Sequence, residues 1–198
     1  MKTIWITGAS SGIGKSLALK FANEGWQVAA SARREDLLNQ LSESNQNISP
    51  FPLDVTSREN CEKIFEKIKN KFENIDTCFF STGTWDPKKE KEIDIDQMKK
   101  VMEVNFFGTL NCIKAVEMYF KEKKNGNISI VSSIAGYRGL PNSTGYGASK
   151  AALNNLAESL YFDFGRYNVR VSLISPGFIK TPMTDKNQFK MPFLKTPE

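Results

Sequence analysis

The sequence contains no histidine among its 198 residues. Every mechanism that needs an imidazole base or ligand is therefore excluded. That removes Ser-His-Asp and Cys-His catalysis and the common zinc sites, and no metal centre is expected. Cysteine is scarce as well. Cys61, Cys78 and Cys112 are odd in number and far apart in sequence, which reads as three reduced thiols of a cytosolic protein and not a disulfide frame. No apolar run approaches the ~18–20 residues needed to cross a bilayer, so no membrane partner is expected. The strand-like run Thr3-Ile4-Trp5-Ile6-Thr7 begins almost at the first Met, which leaves no room for a signal peptide. Charge of one sign is not concentrated either. The net charge is +5, but the basic residues are scattered among 22 acids. Lys88-Lys89-Glu90-Lys91 and Lys121-Glu122-Lys123-Lys124 are short and mixed in sign. A solvated surface is favoured over a nucleic-acid patch.

What is present is an ordinary globular composition, 40% hydrophobic and 25% charged, on a length that suits one domain with a substantial core. Short apolar runs at 3–7, 27–32, 48–53, 76–82, 127–132 and 169–175 predict strands. Helical patterns lie between them near 12–24, 34–44, 57–73, 94–121 and 145–165. In the third of these, Cys61, Ile64, Phe65, Ile68 and Phe72 recur at three- and four-residue spacing and form one buried face. The alternation predicts an α/β fold: a doubly wound, Rossmann-like parallel sheet with helices on both faces, in a single domain over 1–198. From Thr181 the periodicity is lost, and 181–198 is expected as a lid over a substrate. Thr196-Pro197-Glu198 is a helix-start signal, so the chain is expected to be truncated where a further helix would begin.

The first strand runs into Thr7-Gly8-Ala9-Ser10-Ser11-Gly12-Ile13-Gly14. Glycines suit a tight turn that a ligand approaches closely. The amides opening the next helix carry partial positive charge and can bind a pyrophosphate. Gly8-Ala9-Ser10-Ser11-Gly12 also matches the Gly-x-Ser-x-Gly of a hydrolase elbow, but that nucleophile needs a histidine. The second strand ends Ala32-Arg33-Arg34. An NAD site usually has an acid here to bind the ribose 2′-hydroxyl. With Ala32 in that place, Arg33 is expected to pair with a 2′-phosphate, so NADP is favoured over NAD as cofactor.

Tyr146-Gly147-Ala148-Ser149-Lys150 opens a helical stretch, and the spacing puts Tyr146 and Lys150 on one face. A free tyrosine has a pKa of about 10, and a nearby ammonium moves it toward neutrality. The pair alone is common. Its setting adds Ser133, thirteen residues earlier at a strand end, whose hydroxyl could bond a substrate oxygen.

Together these motifs resemble the classical subgroup of the short-chain dehydrogenase/reductase family. The likeness covers nearly the whole chain and includes Asp54-Val55, Asn105 and Pro176-Gly177-x-x-x-Thr181. It implies that Tyr146 is the general acid or base and that Lys150 lowers its pKa and binds the nicotinamide ribose. Ser133 would position the substrate oxygen, and Asn105 would support a water-linked proton path to Lys150. Asp54 and Val55 would flank the adenine, while Pro176, Ile179 and Thr181 would meet the nicotinamide. Hydride would pass between the cofactor and a carbonyl or secondary alcohol. The family usually has Asn-Asn-Ala-Gly after the fourth strand. Here Phe80-Ser81-Thr82-Gly83 keeps the glycine, with its close backbone approach to the cofactor, and loses the amides. Members also continue through a further helix and strand.

Two other readings stay open at this point. One is a non-catalytic dinucleotide sensor or an inactive truncated form. The other is an epimerase or dehydratase of the extended subgroup, against which the spacing of Gly8, Gly12 and Gly14 counts. The resemblance also implies a homodimer or homotetramer through helices 94–121 and 145–165, with Phe106, Phe107, Leu153, Leu156 and Leu160 able to serve interface or core. The substrate pocket is expected to draw on Thr84-Trp85-Asp86, on 137–143, and on Met183, Phe189, Met191 and Phe193.

Overall fold

Side chains alternate across a strand, and that alternation sorts this chain into two layers around one sheet. The computed structural model describes residues 1–87, 92–187 and 190–197. Lys88-Lys89-Glu90-Lys91, Phe189 and Glu198 lie outside the described residues. Strands β1 (Thr3–Thr7), β2 (Gln27–Ser31), β3 (Ile48–Pro50), β4 (Thr77–Phe80), β5 (Gly126–Val131) and β6 (Val169–Ile174) form one parallel sheet in the order β3-β2-β1-β4-β5-β6. The helices are α1 (Gly12–Asn23), α2 (Glu35–Glu43), α3 (Arg58–Phe72), α4 (Ile95–Met102), α5 (Gly108–Lys123) and α6 (Thr144–Gly165). This is the doubly wound, Rossmann-like arrangement that the βα alternation predicts.

Trp5, Cys78, Phe80, Ile128 and Ile130 project into one core with residues of α3, α5 and α6. Ile4, Ile6, Val28, Ala30 and Phe79 project the other way, into a core shared with α1 and α2. The face of α3 read from the sequence is the face that packs, with Cys61, Phe65 and Ile68 buried. Its start is fixed by Ser57, whose Oγ accepts from the Asn60 amide at 3.3 Å. On the α1–α2 side, β5 and β6 present Asn127, Ser129, Arg170 and Ser172, none of them buried. These pair across the strands as Asn127 with Arg170 and Ser129 with Ser172. The expected cover on both faces therefore holds for β1 and β2, while this end of the sheet is polar on one side.

Two boundaries differ most from the sequence reading. The third strand was expected to reach 53 and ends at Pro50. Phe51 and Leu53 still donate to Ala30 and Ala32 at 2.8 and 2.9 Å, but Pro50 and Pro52 have no N–H and interrupt regular pairing. The stretch 94–121, expected as one helix, is α4 and α5 joined by a π-helical turn at Glu103–Phe107. The π turn holds Asn105, whose carboxamide is bonded to Thr84. Gly108 follows it, where a Cβ would meet Val55 Cγ2 at 2.5 Å. Tertiary contacts of this kind outweigh the regular helical repeat. The tail folds back on the chain: Lys180 donates to the Lys195 carbonyl at 2.8 Å, and Lys195 donates to that of Phe178 at 3.0 Å. No helix of the described residues is long and apolar enough to cross a membrane.

Candidate active site

The strand order reverses between β1 and β4, and a doubly wound sheet opens a crevice at the carboxyl ends of such strands. The glycine turn stands there. Gly8 and Gly12 have φ of +73° and +54°, conformations that favour glycine. A Cβ on Gly14 would meet the Gly8 carbonyl oxygen at 2.5 Å, so the helix start must lie flat on the turn. Ser81 Oγ donates to the Thr7 carbonyl at 2.6 Å. This hydroxyl ties β4 to the turn in a chain that lacks the family's usual side-chain amides at these positions.

Ser11 stands at the N-cap of α1, but its side chain does not cap the helix. Its Oγ instead accepts from Arg34 Nη2 at 3.0 Å, and Ser10 Oγ accepts from the same nitrogen at 2.9 Å. The uncapped helix start and the cation beside it form a corner whose charge suits an anion.

From this corner a cleft of about 280 Å³ runs across the sheet. Gly8, Ser10, Ser11, Gly12, Ile13 and Gly14 line one end together with Arg33, Asp54 and Val55. Gly83, Ser133, Tyr146, Lys150, Pro176, Ile179 and Thr181 line the rest. Asn105 is not on the wall. It is fully buried behind it: its Oδ1 accepts from the Thr84 amide at 2.7 Å, and its Nδ2 donates to the Thr84 carbonyl at 3.1 Å and to Ser149 Oγ at 3.0 Å. Asp54 also holds its own loop, accepting from Thr56 N and Oγ1 at 3.0 and 2.8 Å. The sequence reading missed Arg34, Leu53 and Thr184, all of which line the cleft, and it gave Met183, which lines the cleft as well, to the substrate pocket only. The tandem Arg33-Arg34 is the signal that pointed to the first of these. The others carry no motif.

Tyr146 and Lys150, near the start of α6, line the cleft away from the glycine turn. Lys150 is buried and donates from Nζ to the Val131 carbonyl at 2.9 Å. Its Nζ lies 5.6 Å from the centroid of the Tyr146 ring. Burial pushes the Lys150 ammonium down to about 8. Ser132 Oγ shares its one proton between the Lys150 carbonyl at 3.1 Å and Asn154 Oδ1 at 2.5 Å, locking α6 to the end of β5. Ser133 opens a short 3₁₀ turn, Ile134–Gly136, and its Oγ accepts from the Ala135 amide at 3.2 Å. Trp85 packs beside Tyr146, with ring centroids 5.5 Å apart and planes inclined by 34°.

A second cavity of about 430 Å³ adjoins the first. Ser133, Tyr146, Gly177, Met183 and Thr184 line both. Of the residues expected around a substrate, Trp85, Met183 and residues 140–143 line the second cavity, while Thr84, Asp86, residues 137–139 and Met191 do not. Nor does Phe193: it is 91% exposed. Among the described residues no group of three or more His, Cys, Asp or Glu is placed to hold a metal ion.

The sheet order, the glycine turn at its reversal point and the cleft beside it define a Rossmann-like dinucleotide-binding protein. The family model for short chain dehydrogenase matches residues 2–191. The chain is 34% identical to a 3-oxoacyl-[acyl-carrier-protein] reductase of Thermotoga maritima over 93% of its own length and 77% of that protein's. It is 32% identical to 11-beta-hydroxysteroid dehydrogenase A of Sesamum indicum over 93% of the chain and 54% of the relative. Among solved structures, ElxO with NADP bound matches with a TM-score of 0.88 at 29% identity, covering 99% of this chain and 86% of that one. The chain belongs to the short-chain dehydrogenase family and is an oxidoreductase.

Proposed function

We propose that the chain interconverts a carbonyl and a secondary alcohol with NADP(H), using Tyr146 as the proton donor and acceptor. One observation carries this reading: Tyr146 and Ser133 stand on the wall shared by the two cavities. A group there reaches both a dinucleotide in the first cavity and a substrate in the second.

The donor set fits the dinucleotide. The α1 start and the Ser10 and Ser11 hydroxyls suit a pyrophosphate. Arg33 and Arg34 suit a 2′-phosphate, with Ala32 offering no carboxylate to repel it. The NADP held by the similar ElxO agrees with this choice. When bound, the nicotinamide supplies or accepts the hydride. Tyr146 gives its phenolic proton to the carbonyl oxygen in reduction and takes it back in oxidation. Lys150 in its ammonium form stabilises the phenolate electrostatically. Ser133 Oγ donates a hydrogen bond to the same oxygen. Asn105 acts as a positioning residue, since its carboxamide ties Thr84, next to Gly83, to Ser149, next to Lys150.

Exposed apolar side chains on α5 and α6 support a homodimer or homotetramer through these helices. Met118, Tyr161 and Phe162 are 58%, 59% and 67% exposed. Leu153 is fully buried and belongs to the core. Three buried free thiols agree with a reducing, cytoplasmic setting.

The test is a titration of NADPH and NADH combined with a screen of carbonyl classes. Tighter NADPH binding and turnover of at least one class are expected. Equal or tighter NADH binding rejects the cofactor choice, and binding without any turnover rejects the proton-transfer reading.

A further inference from the structure

We propose that the second cavity binds a neutral aryl or alicyclic ketone, or its alcohol, with the ring laid against the Trp85 indole. This rests on the oxidoreductase reading above and adds the substrate class to it. Three features of the cavity carry the inference.

The first is charge. Among the described residues that line the cavity there is no Lys, Arg, Asp or Glu. A carboxylate or phosphate on the substrate would lose its hydration there without meeting a counter-charge, which is strongly unfavourable. The polar groups of the wall are neutral, and two of them, Ser133 and Tyr146, stand where the carbonyl must sit.

The second is the character of the wall away from that point. Leu140, Pro141, Phe178 and Met183 line it. Its volume of about 430 Å³ is at the lower end of the about 300–1,000 Å³ usual for small-molecule sites. A compact apolar body fits this space.

The third is Trp85. The residue is only 8% exposed. Its Nε1 donates to the Asn142 carbonyl at 2.9 Å, which fixes the indole and joins the loop after β4 to the loop before α6. The ring is thus a preformed wall and not a side chain that must be ordered when substrate arrives. With its centroid 5.5 Å from that of the Tyr146 ring, it sets a flat surface beside the residue that moves the proton, and a planar or chair-like ring packs on such a surface with more contact than a flexible chain does. Trp85 thereby acts as a specificity-determining residue, separate from the groups that move the proton.

The test compares acetophenone, its para-carboxylate and methyl butyl ketone, each with NADPH and the full chain. For the wild-type protein, kcat/KM for acetophenone is expected to exceed that for the para-carboxylate by at least about ten-fold. Equal values for the two overturn the neutrality of the site. Trp85→Ala is expected to lower kcat/KM about ten-fold for acetophenone and by no more than about three-fold for methyl butyl ketone, with Trp85→Phe restoring most of the difference. An equal fall for both ketones makes Trp85 a support for Tyr146 only and overturns the ring contact. If no carbonyl is turned over, the oxidoreductase reading itself fails. The cavity is then judged by ligand-observed NMR: saturation transfer to acetophenone in the wild type that is lost in Trp85→Ala upholds the site, and no transfer in the wild type overturns it.

Discussion

Tyr146 has two different neighbours, a buried ammonium and an indole. Only the hydroxyl is asked to do chemistry, so Tyr146→Phe should abolish turnover while NADPH binding stays within a few-fold, as read by steady-state rates and a fluorescence titration. Near-normal kcat in that variant would reject the mechanism. Lys150 makes a second prediction because its burial has a thermodynamic sign. Its pKa of about 8 in the fold lies below the ordinary 10.5. Between those values the unfolded chain holds a proton that the folded chain has released, so this group makes stability rise with pH. The penalty is full below pH 8, on the order of 3 kcal/mol, and fades as pH rises toward 10.5. Urea unfolding should show Lys150→Met ahead of the wild type near neutrality, with the gap closing across that window. A gap that widens with pH contradicts the assignment.

Elements show where sequence reasoning works and where it stops. β1, α1 and the start of α6 were legible because local patterns specify them: an apolar strand, a glycine spacing, a Tyr-x-x-x-Lys repeat. The π turn at Glu103–Phe107 was not, since it depends on Thr84 and Val55, which are distant in sequence. The bonds of Arg34 to Ser10 and Ser11 span more than twenty positions and were equally hidden. The cleft residues with family motifs were named in advance, while the apolar pocket wall was only partly named, because no motif marks which loop residues face inward. Ser81 is the instructive case. Losing the usual amides drew attention to the end of β4, but only the structure shows its hydroxyl reaching Thr7 across the turn. Ser81→Ala should cost about 0.5–1.5 kcal/mol and weaken NADPH binding a few-fold, measured by urea unfolding and titration. An unchanged affinity separates the strand tie from the phosphate turn.

For the molecule as a whole, the proposed assembly depends on surface and not on core. Phe162 is 67% exposed, so Phe162→Asp should leave the fold intact and shift the protein to monomer in sedimentation or light-scattering measurements. A variant that keeps the wild-type mass moves the interface away from α6.

The three cysteines give this architecture a built-in clock. Cys61, Cys78 and Cys112 all lie in the core under α3 and α5, with Cys61 Sγ and Cys112 Sγ 3.8 Å apart. Burial pushes the thiols of Cys78 and Cys112 well above the usual range, which keeps them protonated and inert while the fold is closed. An alkylating or aromatic disulfide reagent therefore reacts only with molecules whose helices have lifted from the sheet. Labelling rates should track that opening, slow when NADPH is saturating, and report the breathing of one face of the protein without any added probe.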